Sequence, residues 1–385
     1  MRSTFLPFSP PLIGEEEISE VVDTLKSDWI TTGPKVKIFE NEFLKYIGSQ
    51  DALATASATD AMLVGLAALG VGEGDEVITT PMTFCSTAHV IEHLGAKPVF
   101  ADIHKDSLMI DPVKIEEKIT PKTKVILPVH IYGHPCDMDP ILDLARSHNL
   151  YVLEDAAHAF TATYKGRNIG TLGDLTAFSF YATKNITTGE GGMLTGSPEL
   201  IDEARLWSLH GMSRDSWTRY AEEGSWYYEV IRPGFKCNMT DIQAAIGIHQ
   251  LAKVDSFQEV RRKIAETYDE AFAELEEITV PVEDPNVSSA WHLYAIRLNL
   301  DRLKIDRSQF IQELRNRNIG ASVHFIPLHL QPYYRDKYGY SPEDYPVVNS
   351  EYHRLISLPI NLCLSEKDLA DVIEAVRDVI ETYRL

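Results

Sequence analysis

Thr176-Ala177-Phe178-Ser179-Phe180-Tyr181-Ala182-Thr183-Lys184-Asn185-Ile186-Thr187-Thr188-Gly189-Glu190-Gly191-Gly192 decides how this chain folds and where its chemistry sits. Residues 176–180 are apolar or β-branched around one serine, the make-up of a buried strand. Lys184 follows that strand directly and precedes a glycine cluster. In an open parallel sheet, ligands bind beyond the carboxyl ends of the strands. A lysine held there in a dry pocket, or near other cations, loses proton affinity and becomes a usable amine nucleophile. The alternative is a solvated surface lysine; the aromatic and apolar neighbours weigh against it.

Outward from this stretch, short apolar runs alternate with helical patterns. The runs are Ala52-Leu53-Ala54, Glu76-Val77-Ile78, Pro98-Val99-Phe100, Lys124-Val125-Ile126-Leu127 and Tyr151-Val152-Leu153, with amphipathic stretches at 112–118 and 138–145 among them. Such alternation implies crossover connections and an α/β domain with a mostly parallel sheet covered on both faces. From Asp241 the pattern becomes a long helix to about Leu275. A strand at Trp291–Leu298, a helix at Arg307–Asn316, a short strand at Ser322–Phe325 and a last helix from Glu366 follow. The expected organisation is a large α/β domain with an N-terminal arm over 1–250 and a smaller α+β domain over 251–385.

Three further places bring polar groups to element ends. Thr55-Ala56-Ser57-Ala58-Thr59-Asp60-Ala61 leads small residues into a helix from about Thr59. Free backbone N–H groups, the helix dipole and hydroxyls suit a phosphate there, and an ordinary Ser/Thr helix cap fits the same residues. Glu154-Asp155-Ala156-Ala157-His158 closes a strand with a carboxylate that could fix a cationic ring nitrogen or cap a helix. Residues 233–247, Pro233 to Gly247, read as a loop entering a tightly packed helix. A phosphate cup, an acidic strand end and a strand-end lysine, in that order on an α/β domain, describe a pyridoxal phosphate (PLP) site. Asp155 and Lys184 are 184 − 155 = 29 residues apart, about one strand–helix–strand unit.

Composition narrows the classes. The 385 residues are 44% hydrophobic and 24% charged, with a net charge of −21. That charge argues against a nucleic-acid partner, which needs a basic surface, while leaving room for an anionic small ligand in a local positive pocket. No apolar run is long enough for a membrane span, and the first residues lack the apolar stretch of a signal peptide. Cys85, Cys136, Cys237 and Cys363 are scattered, which suggests neither disulfides nor a metal site, and a reducing cytoplasm is expected.

At these motifs the sequence resembles the DegT/DnrJ/EryC1/StrS family of PLP-dependent sugar aminotransferases, which have the aspartate aminotransferase-like fold (fold type I). The likeness runs from Gly14-Glu15-Glu16-Glu17 and residues 27–34 through 75–84, 128–133, 154–159 and 184–192 to the loop and helix at 234–247. It implies that Lys184 is the Schiff-base lysine, that Asp155 faces the pyridine nitrogen and that His158 bonds the ring hydroxyl. It places Phe84 on the ring and Ser57, Ala58, Thr59 and Ser179 around the phosphate. Asn238 looks like the residue that reaches the phosphate of a neighbouring subunit, implying a homodimer with shared sites. Thr31, Tyr181 and His324 are the implied substrate contacts.

Ser57-Ala58-Thr59, residues 234–239 and Ala290-Trp291-His292-Leu293 look most like the UDP-4-amino-4-deoxy-L-arabinose branch. Phe84 and Ile326 depart from it, standing where that branch tends to have Trp and Arg. The resemblance implies L-glutamate as amino donor, 2-oxoglutarate as by-product and a nucleotide-linked, UDP-type 4-keto sugar as acceptor, in cell-surface polysaccharide or lipopolysaccharide biosynthesis. Two other functions share the fold. Related sugar dehydratases replace the lysine by histidine, so Lys184 argues against that reaction. A non-catalytic regulatory paralogue would not need Asp155, His158, Ser179 and Lys184 together.

Overall fold

In a computed structural model, which describes residues 2–213 and 227–385, the main sheet is built from seven strands. They are β1 (Asp51–Thr55), β2 (Glu76–Thr79), β3 (Lys97–Phe100), β4 (Thr123–Ile126), β5 (Tyr151–Asp155) and, after the short β6 (Thr163–Tyr164) and β7 (Arg167–Asn168), β8 (Leu175–Ser179) and β9 (Gly192–Gly196). Their order is β1-β9-β8-β5-β4-β2-β3, and β9 alone of the seven runs antiparallel to its neighbours. Every residue of β8 is buried, as a central strand covered on both faces requires.

The expected helical crossover between Asp155 and Lys184 is absent. β5 and β8 are parallel neighbours, and the chain between them forms the β6–β7 hairpin, which pairs with β11 (Val287–Ser288). Two-residue strands are too short to leave a readable alternation. β9 also escaped the sequence reading, because glycines open and close it. It holds by pairing on both edges.

The helices of the main domain are α1 (Glu15–Lys26), α2 (Pro34–Ile47), α3 (Ala58–Ala68), α4 (Ser86–His93), α5 (Pro112–Glu116), α6 (Met138–His148), α7 (Pro198–Ser208) and α8 (Asp241–Ala252). Local signals set their ends. Ser197 caps α7 with proline at its first position, Thr240 and Gln243 form a capping box on α8, and α2 stops at Gly48, whose φ of 81° suits glycine. The helix expected over 241–275 is two helices. It breaks at Lys253, whose ammonium reaches Glu17 at 2.5 Å, and resumes as α9 (Val254–Phe272).

Beyond it lie β10 (Ile278–Thr279), β12 (Tyr294–Leu298), α10 (Arg307–Asn316), α11 (Pro332–Tyr338), α12 (Pro346–Tyr352), β13 (Leu355–Leu358) and α13 (Glu366–Tyr383). β10, β12 and β13 form an antiparallel sheet over a second core that includes Tyr268, Phe272, Ile296, Phe310 and Val376. Leu6 of the N-terminal arm belongs to that core, whereas Leu328, Tyr334 and Val348 pack into the first. Two expectations change here. The strand over 291–298 begins only at Tyr294, because Ala290 and Leu293 donate instead to the carbonyls of Gly133 and Tyr132. Residues 322–325 make a single bridge, Ser322 to Ser357, and then turn toward the main sheet.

Candidate active site

Register brings the site together. Gly192 opens β9 and pairs with Thr55 at the end of β1 on one side and with Ser179 at the end of β8 on the other. A Cβ on Gly192 would lie 2.4–2.6 Å from the Ser57 carbonyl and the Ala58 nitrogen, so only glycine allows this approach. The Ser57 side chain is the N-cap of α3, accepting from the Asp60 N–H at 3.0 Å and donating to its carboxylate at 2.9 Å. Cap and cup are therefore compatible, because the hydroxyl caps while the Ala58 and Thr59 N–H groups stay at the helix N-terminus. The helix starts at Ala58, one residue before the expected Thr59. Ser179 accepts from the Tyr181 N–H at 3.3 Å, which leaves its own hydroxyl proton to donate. A helix N-terminus with its backbone N–H groups and a hydroxyl donor suit a phosphate.

Asp155 ends β5 and is 4% exposed. Thr87 on α4 donates to one carboxylate oxygen at 2.7 Å, and the Ala157 N–H donates to the other at 3.1 Å. Thr83 lies 2.8 Å behind Thr87, hydroxyl to hydroxyl. Burial raises the proton affinity of Asp155, while Thr87, the Ala157 N–H and the charge of Lys184 lower it. A cationic ring nitrogen at this carboxylate would restore the charged form.

Lys184 follows β8 on a turn in which its N–H donates to the Tyr181 carbonyl. Burial pushes its amine down from 10.5 to about 8, and Asp155 opposes that fall. Lys184 is half-buried and lines the cavity, and the shift comes from loss of water around its amine. His158 accepts at Nδ1 from the Tyr132 N–H at 3.2 Å, so its neutral ring carries the proton on Nε2. Burial and Lys184 hold its affinity well below the usual histidine value. Burial, with Lys184, likewise lowers His324 to about 4; its Nδ1 lies 2.9 Å from the Ser357 hydroxyl and its ring stacks on Phe8.

One cavity of about 570 Å³ is lined by ten of the twelve expected residues: Ser57, Ala58, Thr59, Phe84, Asp155, His158, Ser179, Tyr181, Lys184 and His324. Thr31 and Asn238 do not line it. Thr31 is exposed and accepts from the Asp241 N–H, and Asn238 donates to the Thr32 hydroxyl at 2.5 Å. Ile326 also stands outside, 48% exposed. Phe8, Thr83, Ser86, His292 and Phe325 line the cavity without having been expected. Phe8 and Phe325 come from segments remote in sequence, and no local pattern marks them. His292 carries a signal, a histidine in an apolar run, but the run reads as a strand and the likeness at 290–293 assigns it no role. The donor set fits PLP: a phosphate cup, a buried carboxylate, a neutral imidazole that donates, and a deprotonatable amine share one cavity.

Comparison with known proteins gives the same picture. The DegT/DnrJ/EryC1/StrS aminotransferase family profile matches residues 11–377. The chain is 52% identical over 382 residues to the spore coat polysaccharide biosynthesis protein SpsC of Bacillus subtilis, covering 99% of this chain and 98% of that one. It is 54% identical over 385 residues to the uncharacterized protein MJ1066 of Methanocaldococcus jannaschii, covering all of both. Among solved structures it superposes on Spr1654 of Streptococcus pneumoniae, described as a sugar aminotransferase. In the PMP form the TM-score is 0.92 at 38% identity, with 98% of this chain and 99% of that one covered. The PLP form gives a TM-score of 0.91.

Proposed function

The chain belongs to the DegT/DnrJ/EryC1/StrS aminotransferase family, a PLP-dependent transaminase of fold type I, and from that premise we propose that it moves the amino group of L-glutamate onto C4 of a UDP-linked 4-keto sugar. The observation that carries the catalytic half is the single cavity in which Lys184, its amine brought down to about 8, faces Asp155. PLP, when bound, supplies an electron sink for the carbon that loses its proton.

The chain's own residues do the rest. Ala58, Thr59 and Ser179 would hold the phosphate. Asp155, kept in place by Thr87 and the Ala157 N–H, stabilises a proton on the ring nitrogen. His158, with its proton on Nε2, would donate to the ring oxygen, and Phe84 would cover the ring. Lys184 would hold the cofactor and, as a free amine, would move a proton at the substrate carbon as general base. Its depressed proton affinity puts free amine within reach near neutrality.

The substrate half rests on chemistry at the rim. Phe84 lines the cavity and Ile326 stands exposed outside it, next in the chain to the lining residue Phe325; both are apolar, where an arginine at 326 would offer a charged, bidentate donor. That apolar character favours a 6-deoxy-hexose, or its 2-acetamido form, over a keto-pentose. The 52% identity to a polysaccharide biosynthesis protein supports a cell-surface sugar as product. No described helix is long and apolar enough to cross a membrane, in line with a cytoplasmic site of action on a nucleotide sugar.

The working form is a homodimer. Ile18, Val22 and Leu25 make an exposed apolar stripe on α1, continued by Trp29 and Ile30, which a second subunit would cover. Thr31 and Asn238 lie next to this segment and outside their own cavity, as residues serving a neighbour's site would. The test is kcat/KM for a UDP-4-keto-pentose against UDP-4-keto-6-deoxyhexoses with glutamate. A tenfold preference for the pentose, about 1.4 kcal/mol in transition-state binding, would overturn the reading of the rim.

A further inference from the structure

Three hydrogen bonds fix the protons on two histidines of the cavity. Asn185, the residue after Lys184, is 6% exposed and donates its amide NH2 to the Ala290 carbonyl at 2.7 Å. Its amide oxygen is therefore the atom 3.0 Å from Nδ1 of His292. An amide oxygen only accepts, so His292 carries its proton on Nδ1 and leaves Nε2 bare. His158 is the reverse, since it accepts at Nδ1 from a backbone N–H and keeps its proton on Nε2. The two rings pack at 4.3 Å between centroids, tilted by 41°.

We propose that Asn185 locks His292 as the Nδ1–H tautomer and that His292 is a positioning residue, a neutral ring that backs His158 and keeps it turned as a donor toward the cavity. The backbone of His292 is tied in the same place. Its carbonyl and that of Trp291 accept from the buried guanidinium of Arg261, which also bonds the Ile360 carbonyl. Besides burial, the groups that disfavour a charge on His292 are His158, Lys184, Arg261 and His324. A second proton on His292 would add a cation near the Arg261 guanidinium and the Lys184 amine. Burial and those neighbours hold it in the neutral form the lock requires.

The arrangement has a functional consequence. If His292 carried its proton on Nε2, it would present a competing donor beside His158, and the Asn185 oxygen would lose its partner. Because Asn185 is the chain neighbour of Lys184, the turn that delivers the reactive amine also sets the hydrogen-bonding sense of the imidazole pair. The link to amination rests on the function proposed above, whereas the tautomers do not depend on it.

The test is long-range 1H–15N correlation on full-length protein labelled at histidine, with His158→Gln and His292→Gln used for assignment. We expect His292 protonated on Nδ1 and His158 on Nε2, and neither gaining a proton at neutral pH. Asn185→Leu should mix the tautomers of His292 and lower kcat about tenfold, the worth of one net hydrogen bond, with KM for the sugar nucleotide little changed. Asn185→Asp restores an acceptor and adds an acid. It should keep the Nδ1–H, raise the pH at which His292 gains its second proton and recover part of kcat, and its melting curve controls for misfolding. His292 protonated on Nε2 in the wild type, or a tautomer indifferent to Asn185→Leu, would overturn the lock. Tautomers as expected with no turnover of any keto sugar would instead overturn the amination reading alone.

Discussion

Titrating Lys184 in the cofactor-free protein should give a midpoint near pH 8, against 10.5 for an ordinary lysine. The magnitude follows from that difference. At pH 8 half of the Lys184 amine is free, whereas an unperturbed lysine has about one part in 300 free. Asp155 is the charge that opposes the fall. Asp155→Asn should therefore move the midpoint further down, by about one pKa unit for a carboxylate within a few ångströms. Competitive labelling with trace acetic anhydride, read on the peptide that carries Lys184, measures the midpoint without any substrate. Stability supplies a second reading with a definite sign. The folded-state value lies below the unfolded one, so between about pH 8 and 10.5 the unfolded chain holds a proton that the folded chain has released. The cost to folding is full below that window and fades as pH rises through it. Lys184→Met should be more stable than the wild type at neutral pH, and the gap should close toward pH 10.5. A midpoint near 10.5, or an upward move in Asp155→Asn, would show that the amine is solvated and that the electrostatic argument is wrong.

Three other outcomes follow from the same geometry. Gly192→Ala puts a Cβ 2.4–2.6 Å from the backbone of Ser57 and Ala58; it should cost about 2 kcal/mol in thermal unfolding and weaken PLP retention at least about tenfold by fluorescence titration. Asp155→Ala should lower kcat about a hundredfold, the equivalent of two pKa units on the ring nitrogen, with less effect on sugar KM and a milder loss in Asp155→Glu; normal kcat in the alanine variant would reduce Asp155 to a turn residue. Mixing inactive Lys184→Ala and Asn238→Asp subunits should restore partial activity, because one site of each heterodimer then carries neither lesion; heterodimers that form and stay inactive would place Asn238 in its own subunit's site.

What could be read from the sequence is what is encoded locally. β5 is a short apolar run ending in Asp155 and β8 a buried run ending five residues before Lys184; that pattern marks both residues as candidates, with a helix cap and a surface lysine as alternatives, and the roles come from the family resemblance. The helix N-terminus at 57–59, the candidate cup, is legible because small residues and a cap precede an apolar helix. Its counterpart Gly192 was only one glycine of a cluster, since its role depends on register with Thr55 and Ser179. Thr87 is 68 residues from Asp155, and Phe8 meets His324 across most of the chain. Such pairings are made by the fold, and no periodicity reports them. The hairpin in place of a helical crossover was missed for the opposite reason, because the spacing of 29 residues fits either connection.

The most direct test of the account is nitrogen transfer. Purified protein with PLP is incubated with 15N-glutamate and a panel of UDP-4-keto sugars, and the sugar nucleotides are weighed by mass spectrometry, with borohydride reduction and peptide mapping on a parallel sample. The account predicts a UDP-amino sugar carrying 15N, the cofactor fixed on Lys184, and neither result in Lys184→Ala. Transfer that survives in Lys184→Ala, or a cofactor fixed on another lysine such as Lys236, would contradict it.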